Sequence, residues 1–63
     1  MKVREILRVL QDEGWTIVRT RGSHRQLKHP GKSGTVTVSG NANIDIPRGT
    51  LKSILKQAGL EES

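Results

Sequence analysis

Hydrophobic residues change their spacing twice along this chain. Over residues 2–13, Val3, Ile6, Leu7 and Leu10 recur three and four apart, while Lys2, Arg4, Glu5, Arg8, Gln11 and Asp12 take the other side. That period gathers the apolar side chains on one stripe and predicts an amphipathic helix. Gly14 stands where a left-handed residue ends a helix, and Trp15 behind it is placed to pack back on Leu10. Leu51, Ile54, Leu55 and Ala58 make a second stripe, closed in the same way by Gly59, with Leu60 set to meet Leu55. Thr50, after Pro47, Arg48 and Gly49, is the expected N-cap of this second helix.

Between the stripes the period falls to two. Residues 15–20 and 24–29 predict strands joined tightly through Arg21, Gly22 and Ser23. Residues 30–34 predict a longer turn, and the alternation of Thr35, Val36, Thr37 and Val38 a third strand. Residues 39–45 include Gly40, Asn41 and Asn43, show no periodicity, and predict a flexible loop. The order is helix, three antiparallel strands, helix. The expected fold is therefore a small α+β domain spanning residues 1–63, with both helices covering one sheet face and the other face wet. Leu27 is the only strongly apolar residue of its strand and must face the helices. Alternation then sends Arg25 and His29 with it, and His24, Gln26 and Lys28 to the open face.

Charge narrows the partners. Eleven Lys and Arg against six Asp and Glu give a formal net charge of +5, which attracts polyanions. A membrane-surface helix would carry aromatic or Leu-rich apolar anchors, yet the one aromatic residue is Trp15, outside both predicted helices. Nucleic acid is favoured over membrane, and the scarcity of aromatics argues against a sheet that stacks unpaired bases. Met1-Lys2-Val3-Arg4-Glu5 leads straight into a helix with no signal-peptide pattern, so a cytoplasmic location is expected. With no cysteine, neither disulfides nor thiolate metal sites are available, and His24 and His29, five apart, match no common ligand spacing. No metal and no small-molecule cofactor are expected. A core this small supplies about 3–5 kcal/mol, so modest intrinsic stability and a stabilising partner are expected.

The segment Thr20 to His29 holds the candidate chemistry. Its bland reading is a solvated basic hairpin with Gly22 and Ser23 as ordinary turn residues. Its functional reading is that Arg21, Arg25, Lys28 and Lys32 bind a phosphate beside His24, with Ser23 assisting through its hydroxyl or backbone N–H. An imidazole so placed can take the proton of a ribose 2′-hydroxyl, which then attacks the adjacent phosphorus. Such cleavage needs RNA and no metal. The general acid is not identified by the sequence; Lys28 and His29 are the candidates, the latter disfavoured by strand parity.

The same residues resemble a family. Gly14-Trp15, Arg19, Gly22-Ser23-His24, His29-Pro30, the Val36-Thr37-Val38 strand and above all the run from Gly49 to Leu60 are similar to the HicA (YcfA-like) toxins of bacterial HicAB toxin–antitoxin pairs. The resemblance implies a double-stranded-RNA-binding-domain-like fold, ribonuclease action on mRNA, a catalytic histidine at His24, and neutralisation by a HicB-type antitoxin covering the active face. Many members carry Pro-x-His after the third strand; this chain has Ser39-Gly40-Asn41 there, so no role for a histidine at that point carries over. Two other readings stay open on residues alone: a double-stranded-RNA-binding module that does not cleave, and an interaction protein whose basic face docks an acidic partner.

Overall fold

The computed structural model describes residues 1–60. Two helices, α1 (Val3–Asp12) and α2 (Arg48–Gln57), flank three strands, β1 (Thr16–Arg21), β2 (His24–His29) and β3 (Lys32–Ser39), in an antiparallel sheet of order β1-β2-β3. This is the α+β arrangement expected from the hydrophobic spacing. Both helix stops form as the sequence predicts. The Trp15 backbone N–H donates to the Leu10 carbonyl (2.9 Å) and that of Leu60 to the Leu55 carbonyl (2.8 Å), while Gly14 (φ 98°) and Gly59 (φ 72°) supply the left-handed turn.

Val3, Ile6 and Leu10 of α1 and Ile54 of α2 bury against Trp15, Leu27, Val36, Val38, Ile46 and Ala58. Leu27 is wholly buried, so the parity argument holds: His24, Gln26 and Lys28 are exposed, whereas Arg25 and His29 are half-buried. The His29 ring meets the edge of Trp15 at 5.5 Å between centroids. Its Nδ1 accepts from the Gly31 N–H (2.9 Å), which leaves Nε2 as the N–H that donates to the Glu13 carbonyl (3.0 Å). His29 therefore fastens the β2–β3 turn to the end of α1.

Four expectations are corrected. The turn expected over residues 30–34 is only Pro30 and Gly31, because β3 begins at Lys32; two steps on β2 (Leu27 to His29) oppose four on β3 (Val36 to Lys32), and the surplus around Gly34 disguises the strand. Helix α2 begins at Arg48 with Pro47 as its N-cap, and the Leu51 N–H bonds the Pro47 carbonyl (2.9 Å), so Thr50 lies inside the helix. Ser39 belongs to β3 rather than to a loop. The segment after it is not free either: the carbonyls of Ala42 and Ile44 accept from the N–H groups of Arg4 and Val3, each at 3.0 Å, and the Asn43 Oδ1 accepts from Arg4 Nη1 (2.8 Å). Those bonds satisfy N–H groups that an α-helix leaves unpaired at its start.

Candidate active site

Register determines which side chains share the open face. In β1 and β2, Ile17 pairs with Leu27 but Arg19 pairs with Gln26, so Val18 is an extra residue, a β-bulge. Without it, alternation from the core-packed Ile17 would send Arg19 and Arg21 toward the helices. With it, they turn to the open side. Two rows then cross the three strands on that face: Arg21–His24–Ser39 and Arg19–Gln26–Thr37. The row between them, Thr20–Arg25–Val38, and the row beyond, Ile17–Leu27–Val36, face the helices.

His24 stands in the middle strand next to a two-residue turn. Gly22, at φ 59°, lets β1 reverse into β2 within Gly22 and Ser23. The end of the sheet is then tied shut. The Gly40 N–H donates to the Ser23 carbonyl (3.1 Å), and Arg25 Nη1 donates to the carbonyls of Gly40 (3.0 Å) and Ser23 (3.4 Å). On the open side Ser39 Oγ lies 2.9 Å from His24 Nδ1. A hydroxyl donates or accepts, so this bond serves either imidazole tautomer and the protonated ring as well. Among the described residues Nε2 has no protein partner, and His24 is one of the residues, with Arg19, Arg21, Gln26 and Thr37, that line an open hollow of about 250 Å³. No acidic residue occurs anywhere in the three strands, so positive charge at this face is uncompensated locally.

The residues singled out from sequence do not all come together. Arg21 and His24 come together in one row and one hollow. Arg25 sits on the helix-facing side, its guanidinium engaged with the two carbonyls, and Ser23 contributes its own carbonyl to that clasp while its side chain remains exposed. Lys28 shares the open face but lies four residues from His24, roughly 13 Å along a strand. Lys32 is at the far end, where its Nζ donates to the Ala58 carbonyl (3.0 Å) and satisfies the end of α2. His29 has both ring nitrogens occupied by backbone groups and is not beside His24. Arg19, Gln26, Thr37 and Ser39 were not among the sequence candidates. Gln26 was legible on parity alone; Arg19 was hidden by the bulge and Ser39 by the apparent end of the strand.

The described residues contain no group of three or more His, Asp or Glu side chains arranged to hold a metal ion. They contain no helix long and apolar enough to cross a membrane. Comparison with curated proteins yields no match. The family model described as the HicA toxin of bacterial toxin–antitoxin pairs matches residues 3–60, which takes in both helices, all three strands and every residue of the hollow. The chain belongs to the HicA toxin family of bacterial toxin–antitoxin systems.

Proposed function

We propose that this toxin is a metal-independent endoribonuclease that cleaves mRNA, with His24 as the proton-transfer group. The observation that carries the reading is the environment of one ring: Nδ1 anchored by Ser39, Nε2 without a protein partner, and a guanidinium-lined hollow beside it. When Nδ1–H donates to Ser39 Oγ, Nε2 holds a lone pair. It takes the proton of a ribose 2′-hydroxyl, and the oxygen attacks the adjacent phosphorus. The bond to the 5′-oxygen breaks, and that oxygen takes a proton from solvent at the open face. The products are a 2′,3′-cyclic phosphate and a 5′-hydroxyl. Arg21, in the same row as His24, stabilises the charge that accumulates on the phosphorane. DNA has no such nucleophile and is spared.

Ser39 acts on the ring rather than on the substrate. Its hydroxyl holds the imidazole plane in one orientation and, by rotating, accommodates both protonation states. Family membership supports an antitoxin partner: a HicB-type protein with acidic groups would cover the His24 rows, block access and stabilise the toxin by binding only its folded form. Both partners meet in the cytoplasm. Digestion of RNA in EDTA, with chemical identification of the new ends, tests the chemistry. The expected ends are 2′,3′-cyclic phosphate and 5′-hydroxyl; cleavage that requires Mg²⁺ would overturn the mechanism.

A further inference from the structure

The row Arg19–Gln26–Thr37 takes no part in the proton transfer assigned to His24, yet the fold makes a particular effort to build it. The Val18 bulge interrupts the β1–β2 ladder and leaves a valine side chain 55% exposed. Its consequence is to re-aim Arg19 and Arg21 onto the face that carries His24, and bulges beside functional sites commonly do this. The hollow spans both rows and is smaller than a pocket that encloses a whole drug-sized ligand, so it suits one edge of a nucleotide.

The two rows also divide the chemistry. A guanidinium offers only donors, in a fork that fits phosphate oxygens. A carboxamide offers donor and acceptor together, which is what a base edge requires, and the Thr37 hydroxyl can complete either role. Alternate residues of a strand lie about 6.6–6.8 Å apart, on the order of one nucleotide step in an extended strand. With Arg21 at the scissile phosphate, Arg19 falls at the next one.

We propose that Arg19, Gln26 and Thr37 form a subsite for the nucleotide adjoining the scissile phosphate, unpaired in the RNA, with Arg19 on its phosphate and Gln26 on its base edge. The subsite deepens the ribonuclease reading and rests on it for the choice of RNA as ligand. An unpaired nucleotide is specified because in an RNA duplex the Watson–Crick edges are already paired, the major groove is too deep and narrow for side chains, and the shallow minor groove is recognised mostly through its shape, 2′-hydroxyls and phosphates.

The test uses a short single-stranded oligoribonucleotide, the same sequence as a duplex, and the full chain carrying His24→Ala so that nothing is cut. Adding Arg19→Ala is expected to weaken single-strand binding about tenfold and to reduce the slope of log affinity against log salt by about 0.7. Adding Arg48→Ala, on exposed α2, is expected to change affinity less than twofold. Equal losses from the two arginines, or tighter binding of the duplex, would overturn the subsite. In the cleaving protein, Gln26→Ala is expected to relax base preference at one position flanking the cut, and an unchanged preference there would overturn the base contact. If the unmodified toxin cuts no RNA, the ribonuclease reading falls, while the Arg19 and Arg48 comparison still decides the subsite.

Discussion

Replacing Gly14 by alanine separates two effects that the helix stop combines. The first is conformational: Gly14 has φ 98°, where a residue with a Cβ carries strain of about 1–2 kcal/mol. The second is contact. A Cβ at Gly14 would sit 2.7 Å from His29 Nε2 and 3.1 Å from its Cδ2, so the ring must move. Moving it breaks the Nε2–H bond to the Glu13 carbonyl, a net loss of about 0.5–1.5 kcal/mol, and disturbs the edge contact with Trp15, worth a similar amount. The sum is about 2–5 kcal/mol, comparable with the entire stability of about 3–5 kcal/mol expected of so small a core. Gly34→Ala is the matched control: φ is 89° and nothing lies within 4 Å of the added carbon, so only the strain should register. Urea denaturation followed by circular dichroism measures both. Gly14→Ala should lose about 1–3 kcal/mol more than Gly34→Ala, and equal losses would refute the claim that His29 is a packed structural fastener.

Two further variants test roles at the two ends of the sheet. Ser39→Ala should lower kcat roughly tenfold with little change in KM, since it frees the His24 ring without touching substrate, and Ser39→Thr should recover most of the loss. Unchanged kcat in Ser39→Ala, with unaltered histidine ring signals by NMR, would contradict the positioning role. Lys32→Ala should lower stability by about 1 kcal/mol through the lost bond to the Ala58 carbonyl while RNA affinity stays within about twofold. A large affinity loss at full stability would return Lys32 to the RNA-contacting set.

The sequence revealed those features that depend on side-chain identity at regular spacing. The helix stops were legible because Gly14 and Gly59 are each followed by an apolar residue that packs backward, and the face of His24 because Leu27 alone could be buried in β2. Irregular backbone was not legible. The Val18 bulge has no side-chain signature, since Val18 reads as an ordinary strand residue, yet it decides where Arg19 and Arg21 point. The segment that caps α1 does so with backbone carbonyls of Ala42 and Ile44, which any residue could provide. Pro47 caps α2 by its carbonyl, so Thr50 drew attention one turn too late. Arg25 was misjudged for a different reason: charge suggests a ligand, but a long half-buried guanidinium is equally suited to clasping the carbonyls of Ser23 and Gly40.

The most direct test of the central claim is RNA cleavage by the toxin and by its His24→Ala variant, in EDTA and at equal folded concentration. His24 is exposed and its partner Ser39 is exposed as well, so the substitution removes no core contact and the fold should persist. Cleavage in the parent protein and its loss by about two orders of magnitude or more in the variant, with RNA binding retained, is the predicted result. Cleavage by His24→Ala at the parent rate would contradict the assignment of His24 as the proton-transfer group.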